Sequence, residues 1–168
     1  TDALRTALRL GPQRAEALER CAEAGAGIGG GEALRLAGEA RELLVALAPR
    51  QAESYREWAE AELALAAALA RGGPRGGGPR GGAEALEHRR RARCAVNAAR
   101  VLAPEDPAAC VLAARVWLAL GERVSAKVAC VEALKLGGEK FKLPDDLRSF
   151  LEAEIKLEQE RKPTERPS

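Results

Sequence analysis

The strongest constraint on this chain is an internal echo. Shifting Arg91–Pro104 (RARCAVNAARVLAP) forward by 34 residues lays it on Ser125–Gly138 (SAKVACVEALKLGG). Ala92 then matches Ala126, Ala95 matches Ala129, Ala99 matches Ala133 and Leu102 matches Leu136, with Arg93 opposite Lys127. A fixed period of this length signals a stack of like supersecondary units rather than one closed core. The matched alanines are spaced as one face of a helix, and their small size lets two helices approach closely.

The units must be helical. The chain holds 36 Ala and 23 Leu but only 13 Val, Ile and Thr together, a balance that favours helix over strand. Cys110, Ala113, Ala114, Trp117 and Leu118 form one apolar stripe, and Ala126, Ala129, Cys130 and Ala133 form a second. The turn Gly121-Glu122-Arg123 joins them as an antiparallel pair. Other helix stops fall at Gly11-Pro12, Gly25–Gly31, Ala48-Pro49, Gly72–Gly82, Pro104–Pro107 and Gly137-Gly138. At these places glycine raises the entropic cost of helix and proline removes a donor. Leu10-Gly11-Pro12 and Leu47-Ala48-Pro49 echo Leu102-Ala103-Pro104, with prolines 37 and 55 positions apart. Both intervals exceed the period and both hold a glycine-rich break, so insertions into the turn within a unit account for the excess.

On these residues the sequence resembles the tetratricopeptide repeat family, whose unit is a 34-residue helical hairpin. The cleanest match is Pro107–Lys140: Ala114 is the small residue of the first helix, Trp117 the bulky one, Gly121 the turn, and Ala126 and Ala133 the small residues of the second helix. Cys110 and Cys130 stand where the family usually has bulkier side chains, and Gly138 where it prefers proline, which implies thinner packing. The resemblance implies an all-α fold, a right-handed superhelical stack of antiparallel hairpins with a C-terminal capping helix. It divides the chain into a partial repeat at 1–14, repeats at 15–51, 52–106 (with a Gly/Arg-rich insertion at 72–82) and 107–140, a cap at 144–161 begun by Asp145 or Asp146, and a disordered tail at 162–168. With no Met in the chain, a fragment of a longer repeat protein is expected.

The resemblance also implies a function. First helices of such hairpins line a concave channel for a peptide, and here they carry Glu16, Glu19 and Glu23, then Glu53, Arg56, Glu60 and Leu63, then Val111, Arg115 and Leu118. The expected protein is a non-enzymatic scaffold or adaptor binding a peptide or protein surface, acidic at its N-terminal end. A clamp for chaperone C-terminal tails needs paired Asn donors, and the chain has one Asn, Asn97, on a second helix.

Other chemistry is sparse. The single histidine, His88, sits among arginines just after the glycine-rich segment and reads as solvated, which leaves no catalytic triad. No phosphate loop is present, and no cofactor or metal is expected. Cys21, Cys94, Cys110 and Cys130 lack CxxC spacing and read as reduced core residues of an intracellular protein, in the cytoplasm ahead of the nucleus. No apolar run has the roughly 20 residues of a membrane span. The net charge is only +2, yet Arg71, Arg75 and Arg80 each open an RGG triplet, and Arg89, Arg90, Arg91 and Arg93 follow. That basic segment keeps open an alternative as an RNA- or nucleic-acid-associated accessory, although it lacks an aromatic residue to stack a base.

Overall fold

The computed structural model describes residues 15–28, 31–71 and 79–161, which form seven α-helices and no strand. They are α1 (Ala15–Ile28), α2 (Gly31–Leu47), α3 (Ala52–Arg71), α4 (Pro79–Leu102), α5 (Pro107–Ala119), α6 (Arg123–Gly137) and α7 (Asp145–Arg161). The helices pack as three successive hairpins, α1 on α2, α3 on α4 and α5 on α6, with α2 against α3, α4 against α5, and α7 resting on α5 and α6. This is an α-solenoid of helical hairpins closed by a last helix. The expected half-hairpin at 1–14 and the tail at 162–168 lie outside the described residues.

Local chemistry sets the joints. Asp106 caps α5 by accepting from the Ala108 amide at 2.9 Å, and Pro107 follows at the first helical position. Gly121, with φ +81°, makes the turn into α6, and Gly138, with φ +68°, ends α6. Asp145 and Asp146 fall inside the first turn of α7 rather than before it. The Leu147 amide donates to the Pro144 carbonyl at 3.1 Å, and the two acids face the positive end of the helix dipole.

The main core joins Ala92, Ala95, Val96, Cys110, Ala113, Ala114, Ala129, Cys130 and Ala133 to Leu143, Leu147 and Leu151 of the cap segment. A separate cluster, Leu18, Cys21, Ala22, Leu36, Ala40 and Leu44, holds α1 on α2. Fully burying a Leu or Val side chain stabilises by about 1.5–3 kcal/mol. An alanine supplies much less, so the alanine-lined contacts work through closeness of fit.

Four expectations need correction. Helix α1 runs through Gly25 and Gly27 to Ile28, because glycine lowers helix stability by only about 1 kcal/mol whereas proline lowers it about threefold more. The surplus of the second unit is absorbed mainly by helix: α3 and α4 hold 20 and 24 residues against 13 and 15 in α5 and α6. Helix α4 starts at Pro79, so Arg80, Gly81 and Gly82 are helical rather than part of a loop, and 72–78 lie outside the described residues. Cys94 is exposed, while Cys21, Cys110 and Cys130 are buried. Position 94 lies off the Ala92, Ala95 and Ala99 face, whose members are all fully buried. Leu102 and Leu136, matched in sequence, are alike in structure too, both standing about two-fifths exposed at helix ends.

Candidate interaction surface

The first helices α1, α3 and α5 present a face with two hollows. One, about 280 Å³, is lined by Ala22 of α1, Leu34, Ala37 and Arg41 of α2, and Glu57, Glu60, Ala61 and Ala64 of α3. The other, about 240 Å³, lies between Glu60 of α3, Val111, Leu112 and Arg115 of α5, and Phe141, Lys142 and Pro144 ahead of α7. Both fall short of the roughly 300–1,000 Å³ of small-molecule sites, so each suits one or two side chains. Glu60 borders both hollows and is exposed.

Most other charges on this face are tied to the protein itself. Arg41 pairs with Glu57. Arg56 pairs with Glu53 and reaches Asp106 at 3.0 Å, bridging α3 to the start of α5. Arg115 holds Asp146 of α7 through two hydrogen bonds of 3.2 Å, and these bonds keep the Asp146 carboxyl below the ordinary carboxylate range. Of the groove residues expected from sequence, Glu60, Val111 and Arg115 line the hollows, while Leu63 and Leu118 pack against the core. Glu19 and Glu23 are exposed on α1, and the Glu16 side chain is outside the described set. Arg41, Glu57, Phe141 and Lys142 also line the hollows and lie outside the first-helix pattern. Glu57 lies one position beyond Arg56 on the same helix, and Phe141 and Lys142 come from the linker that a helix-face pattern does not address.

A polar knot ties α3 to α4. The Glu62 carboxylate, only 2% exposed, accepts from Trp58 Nε1 at 3.1 Å and from His88 Nδ1 at 2.6 Å. His88 is thus not solvated as its setting in the sequence suggested: nine residues into α4, it turns inward against α3 with its side chain 12% exposed. The knot faces a basin lined by Arg35, Glu39, Glu84, Glu87 and Arg91. The bond to Glu62 makes the histidine part of the packing between α3 and α4.

Among the described residues, several arginines of the basic run are engaged within the chain. Arg71 closes α3, where a cation complements the helix dipole. Arg90 and Arg91 lie 4.0 and 3.9 Å from Glu87. Arg93 turns to Glu122 at the start of α6, 3.6 Å away, and Arg89 is half-buried. The Arg80 side chain and Arg75 lie outside the described residues. Among the described residues no His, Cys, Asp and Glu cluster is placed to hold a metal ion, and no helix is long and apolar enough to cross a membrane.

Hairpin order, small-residue contacts and the capping helix define a helical repeat protein. A solved structure shares this arrangement: the chain is similar to TTC0263, a thermophilic tetratricopeptide repeat protein of Thermus thermophilus, with 26% identity and a TM-score of 0.58 over 94% of this chain and 72% of that one. Its fold is therefore similar to that of tetratricopeptide repeat proteins. No protein-family model matches it, and neither does a curated protein.

Proposed function

We propose that the chain is a non-enzymatic scaffold whose first-helix face binds a segment of a partner protein. The observation that supports this most directly is the pair of side-chain-sized hollows meeting at exposed Glu60. A fitting ligand presents a Lys or Arg to Glu60 between two small or medium apolar side chains, one per hollow. Such spacing suits a peptide laid across successive hairpins. Internal pairing of Arg41, Arg56 and Arg115 leaves this face less acidic than its glutamates alone suggest, so recognition rests on Glu60 and the apolar hollows rather than on a broad field. A chaperone tail does not fit, because Asn97 is exposed on α4, a second helix. Buried, unbridged Cys110 and Cys130 accord with the reducing interior of a cell, the cytoplasm first.

Affinity capture with the wild type, Glu60→Arg and Val111→Asp forms tests the proposal, with circular dichroism confirming each fold. Partners common to the wild type and lost from both variants support it. An unchanged partner set removes it.

A further inference from the structure

The outer face of α6 carries an apolar stripe that no other described element covers. Val124 is 78% exposed and Val128 60% exposed. With half-buried Val131 and with Lys135, they line a depression whose rims are Lys127, paired with Glu158 of α7, and Glu132, paired with Arg100 of α4. The rims are internally neutralised, so the depression selects no partner by net charge.

A further hairpin would not cover this stripe. The 34-residue shift places Arg90, Cys94, Asn97 and Val101 of α4 at the positions of Val124, Val128, Val131 and Lys135. All four remain exposed although α6 lies beside α4 and is linked to it by Arg93–Glu122 and Arg100–Glu132. The equivalent positions face outward by construction of the stack. On α4 two of the four are polar, Arg90 and Asn97, and on α6 three of the four are valine.

The spacing of 124, 128, 131 and 135, by four, three and four, is the two-position seam of a coiled coil. The seam matches itself when reversed, since 124 with 135 and 128 with 131 share one midpoint. We infer that two copies of this chain associate through α6, antiparallel, about a two-fold axis between Val128 and Val131. Val128 of one copy then meets Val131 of the other, twice over, giving a core of four valines. The Lys135 stem covers Val124 at each end, its ammonium reaching water. Along the flanks Ser125 comes beside Glu132 of the other copy, and Lys127 beside Leu134, so no like charges stand opposed. The 15 residues of α6 span only about 22 Å, which makes the contact smaller than a standard protein interface and the dimer weak and reversible. The face is isologous, as a two-fold contact requires.

Sedimentation equilibrium of the full chain over a wide concentration range tests this directly. The wild type is expected to show a monomer–dimer equilibrium. Val128→Glu and Val131→Lys, each at an exposed or half-exposed site that keeps the fold by circular dichroism, are each expected to weaken association at least tenfold. An equimolar mixture of the two variants restores a heterodimer, because the introduced carboxylate then faces the introduced ammonium across one layer while the other layer keeps two valines. Val101→Glu, on the neighbouring helix, leaves the equilibrium unchanged. A wild type that stays monomeric at every concentration overturns the inference, as does association that survives Val128→Glu, or a mixture that stays monomeric. Peptide capture through Glu60 is read separately and fails or succeeds independently of this result.

Discussion

The second and third hairpins solve the same packing problem with different materials. Between α5 and α6 the contact is made of small side chains: Cys110, Ala113 and Ala114 face Ala126, Ala129, Cys130 and Ala133, all at most 2% exposed. Between α3 and α4 the helices are longer, and a buried carboxylate holding Trp58 and His88 supplements Ala59, Ala92, Ala95 and Val96. The short hairpin depends on close approach. The long one adds a directional bond between its helices, Glu62 to His88, which fixes how they face each other but leaves a buried charge to be satisfied.

Truncating the carboxylate is the strongest way to break this contrast. Glu62→Ala takes the acceptor from the Trp58 and His88 donors at the edge of the basin and is expected to lower stability by about 2 kcal/mol, from the cost of unpaired, largely buried polar groups. Urea unfolding measures it, and a change within error would show that the knot is ornamental. In the third hairpin the matching test is bulk rather than polarity. Ala133→Leu forces α5 and α6 apart and should remove about 2 kcal/mol through overpacking, while the same change at exposed Ala67 should do almost nothing. Gly137→Ala is smaller in intent: a Cβ there collides with the Phe141 ring, and the linker into α7 must yield, lowering stability by about 1–2 kcal/mol.

The smallest effect concerns the joint between α5 and α7. Arg115 depresses the Asp146 pKa chiefly through its hydrogen bonds, so the folded value lies below the unfolded one. The stabilisation is present above the ordinary carboxylate pKa and is lost as pH falls through the lower folded value. Because both side chains are about half exposed, solvent screens the pair, and the acid-side loss is a few tenths of a kcal/mol. Arg115→Ala should flatten the stability profile between about pH 5 and 2. A profile identical to that of the wild type would exclude the pair as a contributor.

The fold was legible because its cause is periodic. Ala92, Ala95, Ala99, Ala126, Ala129 and Ala133 announce two helix faces, and every one of them is buried. What escaped the sequence depends on partners distant along the chain. His88 reads as a wet residue among arginines, and only the packing of α4 on α3 brings Glu62 to it, 26 positions away. Gly25 and Gly81 read as stops in the sequence, yet both lie within helices, because glycine lowers helix stability by only about 1 kcal/mol. On the candidate binding face, first-helix periodicity found Glu60, Val111 and Arg115, but it could not show that Arg115 is already engaged by Asp146 or that a linker residue, Phe141, closes one hollow.

The two apolar clusters bear on how the chain comes apart. Leu18, Cys21, Ala22, Leu36, Ala40 and Leu44 form a core of their own beside the larger one, so the first hairpin can open without dissolving the rest. In a linear array, cooperativity is carried only by neighbouring contacts. Native-state hydrogen exchange should therefore show the amides of α1 released in an early partial opening, while those of α5 and α6, enclosed on both sides, exchange only with the whole molecule. The scaffold would then be graded along its length, yielding at one end while the segment that carries the outer valine face stays closed.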